Sequence, residues 1–185
     1  MSVQKVGFIG LGMMGAPMCA RIAGAGHALY VADADPARVE EICAKLSAAP
    51  LTEAAAKDLD VLITMLPNSS IVESVLLDEG WADRLTSGAL VIDMSSSEPV
   101  RSRELAETLA GRGLHYLDAP VSGGVKRAEN GTLAILVGGE QAQMDAARPL
   151  LETMGQSILF IGPAGAGHAA KALNNLVSAC GLMIT

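Results

Sequence analysis

Apolar residues along this chain fall into short dense runs, and stretches of helical periodicity separate one run from the next. Lys5–Ile9 is such a run, followed by Gly10-Leu11-Gly12-Met13-Met14-Gly15 and an alanine-rich helical stretch that ends near Gly24-Ala25-Gly26. Glycine commonly closes a helix, because it adopts the left-handed conformation without strain. Residues 29–32 form a second run ending in Asp33, and Pro36 opens a helix over about 37–47. Its fixed φ and missing N–H suit a first helical turn. Residues 61–66, 90–94, 116–117, 133–137 and 158–161 read as further strands, with helices between them such as 100–110 and Gln141–Met154. The strands are nearly continuous in apolar character, as expected for a parallel sheet covered on both faces. Strand and helix alternate with short links, which predicts a doubly wound α/β sheet. Pro163-Ala164-Gly165-Ala166-Gly167 then punctuates the chain, and a last helix runs from about His168 onward.

The first turn carries the clearest chemistry. Gly10, Gly12 and Gly15 stand in the G-x-G-x-x-G spacing directly after a strand and at the opening of a helix, with Asp33 at the end of the next strand. This is the context of a Rossmann-type dinucleotide site. Gly10 permits the tight turn, Gly12 lets backbone approach a pyrophosphate, and Gly15 lets helix and strand pack closely. The helix N-terminus offers free N–H groups and the positive end of its dipole to the phosphates. The Asp33 carboxylate can accept from the ribose hydroxyls and would repel a 2′-phosphate, and Ala34 rather than an arginine follows it, so NAD is favoured over NADP. Asp35, just before Pro36, is the better placed helix cap.

Composition narrows the partners. A formal charge of −7 argues against nucleic acid and against an anionic membrane, both of which select basic surfaces. Cys19, Cys43 and Cys180 are scattered and form no CxxC pair, so neither a disulfide framework nor a metal site is expected, and a reducing cytoplasm suits them. The N-terminus runs straight into a strand with no leader pattern. No apolar run approaches the roughly 20 residues that span a bilayer. At 185 residues, one ordinary domain and an additional element are expected: residues 1–164, then 165–185.

The additional element holds Gly165-Ala166-Gly167-His168-Ala169-Ala170-Lys171-Ala172-Leu173-Asn174-Asn175. Residues three and four apart share a helix face, so Lys171, Asn174 and Asn175 can point into one small space. Hydride exchange with an alcohol carbon also moves a proton on or off the oxygen, and a partly desolvated lysine can carry it. His168 reads as a cap or packing group rather than a proton relay, and His27 and His115 carry no case.

With these segments in view, the chain resembles the β-hydroxyacid dehydrogenase family, the 3-hydroxyisobutyrate dehydrogenases and 2-hydroxy-3-oxopropionate (tartronate semialdehyde) reductases. The match runs through Gly7-Phe8-Ile9-Gly10-Leu11-Gly12-Met13-Met14-Gly15-Ala16-Pro17-Met18, through Asp118-Ala119-Pro120-Val121-Ser122-Gly123-Gly124, and through the Lys171 segment. Thr64-Met65-Leu66-Pro67-Asn68 and Asp93-Met94-Ser95-Ser96-Ser97-Glu98-Pro99 resemble the family's cofactor-enclosing loops, with Ser96 where threonine is frequent.

The resemblance implies an NAD-dependent oxidoreductase that interconverts a small 3-hydroxy acid and its semialdehyde, with Lys171 as the catalytic acid and base. Gly10, Leu11, Gly12, Met13, Met14, Gly15, Asp33, Met65, Leu66, Pro67, Asn68 and Ser96 would contact the cofactor. Ser122, Gly123, Gly124, Asn174 and Asn175 would hold the substrate carboxylate and hydroxyl, the serine–glycine turn offering N–H groups and a hydroxyl as an anion site. A 6-phosphogluconate dehydrogenase is disfavoured because the pocket segments lack basic residues for a substrate phosphate, and an imine reductase is disfavoured by Lys171 itself. The last helix would be the start of a long interdomain helix, and the family's second, all-helical domain has no counterpart here. The alternative is therefore a truncated NAD-binding module with little turnover. Leu176, Val177, Leu182, Met183 and Ile184 would then be an apolar face for homo-oligomer contacts through that helix or the absent domain.

Overall fold

The sheet forms because each of its central strands is apolar along its whole length. In the computed structural model, which describes the backbone of residues 3–183 and the side chains to residue 180, β1 (Lys5–Ile9) is buried from its second residue onward. It leads into α1 (Gly15–Gly24), β2 (Ala28–Ala32) and α2 (Pro36–Leu46). α2 starts where expected: Asp35 Oδ1 accepts from the Ala37 N–H at 3.0 Å, with Pro36 in the first turn. Two short elements, β3 (Ala49–Pro50) and α3 (Glu53–Ala56), precede the fully buried β4 (Val61–Thr64). α4 (Ser69–Glu73) continues into a π-helical turn over Ser74–Asp78, and the chain then enters β5 (Leu90–Asp93), buried on all four residues. α5 (Pro99–Gly111), β6 (His115–Asp118), β7 (Val121–Ser122), α6 (Gly124–Asn130), β8 (Leu133–Gly139), α7 (Gln141–Met154), β9 (Gly155–Gly162) and α8 (Ala166–Met183) complete the order.

The first six strands are parallel in the order β3-β2-β1-β4-β5-β6. The chain winds outward from β1 in one direction and from β4 in the other, so a crevice opens between the carboxyl ends of these two strands. Alternate residues of each strand face opposite layers. Phe8, Ile63 and Ile92 pack with Met18, Ile22, Leu150 and Leu151 on one side, whereas Leu62 and Val91 pack with Leu76, Leu105 and Leu109 on the other.

The doubly wound alternation holds through β6 and then changes. β8 returns antiparallel to β6 and β7, and β9 runs parallel to β8 across α7. Only residues 123–132 separate β7 from β8, fewer than the dozen or more that a parallel crossover requires. Residues 65–66 and 94 leave the sheet as loops instead of extending β4 and β5. The Leu66 N–H is taken by the Ser95 hydroxyl at 2.9 Å, and Pro67 follows with no N–H to offer. α8 begins at Ala166, two residues ahead of the expected start, because Gly165 turns the chain at φ 84°. Residues 184–185 and the side chains of Leu182, Met183 and Ile184 lie outside the described residues.

Burial ranks the cost of substitution. Phe8 is fully buried and Leu173 is 63% exposed. Phe8→Ala is expected to cost about 3–5 kcal/mol, because it removes transfer energy and leaves a cavity. Leu173→Ala should stay within about 0.5 kcal/mol. Urea unfolding read by the midpoint checks both, and equal midpoints would contradict this packing.

Candidate functional site

One row of the sheet register sets the level at which every candidate segment begins. Ala32 pairs with Ile9, Ile9 with Thr64, Thr64 with Asp93, Asp93 with Asp118 and Asp118 with Gly138. The residues just after this row are Asp33, Gly10, Met65 and Met94, so the loops that follow gather at one edge of the sheet.

Between β1 and β4 they enclose a groove of about 760 Å³ lined by Gly10, Gly12, Met13, Met14, Gly15, Asp33, Met65, Leu66, Pro67 and Ser96. The three glycines divide their work. A side chain at Gly15 would overlap the Gly10 carbonyl oxygen, and one at Gly10 would overlap that of Met65, where φ is also 105°. Both are therefore demanded by the fold. Gly12 is different: a methyl there would meet nothing nearer than Arg38 Nη1 at 3.8 Å. Protein packing does not explain this glycine, and the open space beside it leaves room for a ligand to lie against the backbone. No side chain caps the start of α1, so its first turn can serve phosphate oxygens. The residues present fit a dinucleotide.

Asp33 stands half-buried at the groove. Its Oδ2 accepts from the Leu11 N–H at 2.6 Å and its Oδ1 from the Asp35 N–H at 2.9 Å. The carboxylate thus ties the glycine turn to the end of β2, and each oxygen keeps further lone-pair capacity for a ribose hydroxyl. Leu11 is buried and contributes its backbone to this clamp. Asn68 does not line the groove: its Oδ1 caps α4 by accepting from the Ile71 N–H at 3.1 Å. Arg38, Ile71, Val75, Glu79 and Trp81 do line it and were not anticipated. Arg38 Nε pairs with Asp35 at 3.5 Å. The π-helical turn over Ser74–Asp78 carries Val75 and leads directly to Glu79 and Trp81 on the groove wall.

The second group of residues sits on α8. Lys171 is half-buried, and burial pushes its ammonium below the usual lysine range. Asn174 and Asn175 are exposed. Ser122 is half-buried on β7, while Gly123 and Gly124 are exposed at φ 136° and 70°, at the uncapped start of α6. These residues do not line the dinucleotide groove. β7 and α8 both pack on β8, which places the two segments against a common strand.

What holds α8 in place was not anticipated in detail. Asp118, fully buried, accepts from the Gly165 N–H at 2.7 Å through Oδ1 and from the His168 N–H at 2.8 Å through Oδ2. It caps the helix from a neighbouring strand. Asp93, equally buried, accepts from the Thr64 hydroxyl at 2.9 Å, the Ser95 N–H at 3.0 Å and the Ser97 hydroxyl at 2.7 Å. Burial first, and then the charges of these two carboxylates, push the Tyr116 phenol well above its ordinary range. His168 is buried as a packing group, as expected, with its ring enclosed by Ser95, Ser102 and the two aspartates. Aspartates ending buried strands, each followed by small or hydroxyl residues, were the available signal.

The family described as the NAD binding domain of 6-phosphogluconate dehydrogenase matches residues 5–162. The chain is 39% identical over 180 residues to the 2-(hydroxymethyl)glutarate dehydrogenase of Eubacterium barkeri, a match covering 96% of this chain and 60% of that protein. It is 42% identical over 175 residues to the NAD-dependent L-serine dehydrogenase of Pseudomonas aeruginosa, covering 94% of this chain and 59% of that one. The solved structure of Mycobacterium tuberculosis 3-hydroxyisobutyrate dehydrogenase with L-serine superposes with a TM-score of 0.90 at 39% identity, over 96% of this chain and 61% of that one. The chain spans about 60% of the length of the curated relatives it matches.

Two glycine variants should separate fold from ligand. Trp81 is the sole tryptophan and lies on the groove, so its fluorescence reports occupancy by NADH. Gly12→Ala is expected to keep the urea midpoint and to weaken the NADH-induced change at least tenfold in concentration. Gly15→Ala should instead lower stability by about 2 kcal/mol or more, since backbone must shift to admit the methyl. NADH binding unchanged in Gly12→Ala would remove the dinucleotide from this groove.

Proposed function

The chain belongs to the family described as the NAD binding domain of 6-phosphogluconate dehydrogenase, and from that premise we propose that it works in an NAD-dependent oxidoreductase. The substrate is a small 3-hydroxy acid or its semialdehyde, of the 3-hydroxyisobutyrate or 2-hydroxy-3-oxopropionate type. The observation that carries the proposal is Lys171: Lys5, Lys45, Lys57 and Lys126 are exposed, whereas Lys171 is half-buried with its ammonium held below the ordinary range.

NAD, when bound, supplies the hydride acceptor or donor. The chain supplies placement and the proton. Gly12 and the uncapped first turn of α1 would receive the pyrophosphate, and Asp33 would accept from the ribose hydroxyls. Arg38 also lines this end of the groove, paired with Asp35 at 3.5 Å. Ser122 with the Gly123 and Gly124 amides offers donors to the substrate carboxylate. Asn174 and Asn175 orient the substrate oxygen, and Lys171 gives or takes its proton. A lowered lysine pKa brings donor and acceptor forms within reach of the same pH range, as a reversible proton carrier needs.

The exposed Leu173, Leu176 and Val177 on α8 support association of copies through this helix. Three free cysteines, one exposed, suit the reducing cytoplasm. A second reading, a module that holds NAD with little turnover, is favoured by the exposure of Asn174 and Asn175, which leaves the substrate side open to water.

Lys171→Ala should leave the NADH-induced change in Trp81 fluorescence nearly intact and lower turnover by roughly 10²–10⁴-fold on a panel of 3-hydroxy acids. Near-normal kcat in the variant would overturn the role of Lys171. Absence of turnover in the unaltered protein as well would favour the second reading.

The pH dependence has a definite sign. Reduction needs the ammonium, so its rate falls as pH rises through the lowered Lys171 pKa. Oxidation needs the free amine and rises through the same range. Profiles in both directions that fail to mirror one another would contradict Lys171 as the shared group.

Asp33→Ala should erode the preference for NAD(H) over NADP(H). Calorimetry showing equal or tighter NADP(H) binding by the unaltered chain would overturn the assignment of Asp33.

A further inference from the structure

His168 is buried to 1% exposure and makes three contacts with three different elements. Its backbone N–H is held by Asp118 at the end of β6. Its Nε2 lies 3.2 Å from the Ser95 carbonyl in the loop after β5, and its Nδ1 lies 2.8 Å from the Ser102 hydroxyl on α5. A carbonyl only accepts, so Nε2 carries a hydrogen and donates it. Asp118 Oδ2 stands 3.6 Å from Nδ1 and Asp93 Oδ2 stands 3.9 Å from Nε2. Lys171 follows three residues later on the same helix, one turn on. Glycine at 167 makes this closeness possible, because a side chain there would overlap the Leu136 and Asp118 backbone oxygens.

We propose that His168 is the positioning residue for Lys171: its ring joins the first turn of α8 to the β5 loop and to α5, and so holds the lysine at its half-buried place. This rests on the reading of Lys171 as the proton carrier. Asp118 fixes where the helix starts through its hydrogen bonds to the Gly165 and His168 backbone N–H groups. The two ring contacts, which lie on different elements, add to the packing of α8 on β8 and α5 in resisting rotation about that anchor. A glutamine in place of His168 could keep both, its amide donating to the Ser95 carbonyl and its oxygen accepting from the Ser102 hydroxyl, for whose hydrogen the Glu98 carbonyl at 3.1 Å competes, whereas alanine keeps neither.

The test titrates Lys171 by acetic anhydride labelling across pH, read by mass spectrometry, with the exposed Lys126 in the same sample as reference. In the unaltered chain Lys171 should label at lower pH than Lys126. His168→Gln should keep that difference. His168→Ala should reduce the near-neutral labelling of Lys171 relative to Lys126 by roughly threefold or more, a shift of about half a pKa unit. Ser102→Ala should fall between the two. A folded His168→Ala protein with unchanged Lys171 labelling overturns the proposal, as does His168→Gln behaving like His168→Ala. Should His168→Ala fail to fold, Ser102→Ala decides: labelling as in the unaltered chain overturns the role of the ring. Lys171 labelling like Lys126 in the unaltered chain would overturn instead the reading of Lys171 as a tuned proton carrier, and His168 would have nothing to position.

Discussion

The parallel register that aligns Ile9, Thr64, Asp93 and Asp118 in one row is the constraint on which the site depends. A register slip of one residue turns each strand's side chains to the opposite face. Here it would expose Phe8, Ile63 and Ile92 to the wrong layer and move the ends of the strands relative to one another. Hydrophobic burial on two faces therefore fixes, at no separate cost, the height at which each loop leaves the sheet. The glycine turn, the Met65 loop and the Ser95 loop meet because their strands stop in the same row.

Polar groups then finish what the apolar layers begin. A carboxylate taken out of water is costly unless donors replace its hydration. Asp93 has three such donors and Asp118 has two backbone N–H groups. Charge-assisted bonds of this kind are stronger than neutral ones, and three of these join elements far apart in the chain: Thr64 to Asp93, and Gly165 and His168 to Asp118. The Ser95 hydroxyl accepts from the Leu66 N–H while its carbonyl faces His168. One serine thus touches both the groove wall and the lysine helix, so the two halves of the site share a structural member.

Much of this was legible from local pattern. Gly10, Gly12, Gly15 and Asp33 belong to a single strand–turn–helix–strand unit whose geometry is set by neighbours in sequence, and Asp35 with Pro36 marked the start of α2 in the same way. The antiparallel return at β8 was less visible because the apolar run over 133–137 has the same composition whether it pairs parallel or antiparallel; only the short connection over 123–132 distinguishes them. Arg38 and Trp81 reach the groove from α2 and from the turn beyond a π-helix, where small changes in helical phase decide which way a side chain points. Asn68 illustrates the opposite case. It lies in a loop beside the groove, yet its side-chain oxygen is claimed by the first turn of α4, a demand set by the next helix.

The balance between firmness and exposure along α8 places Lys171 at a boundary. Gly165, Gly167 and His168 are buried and bonded, whereas from Ala172 to Cys180 the described side chains are exposed. A lysine one turn earlier would be enclosed with two carboxylates nearby, and they would favour its charged form. One turn later it would be solvated and ordinary. At 171 it is desolvated enough for its ammonium to be destabilised, and close enough to the fixed turn for its stem to be directed. Burial lowers the lysine's pKa, and in the proposed function that lowering is what would let one side chain serve as acid and as base.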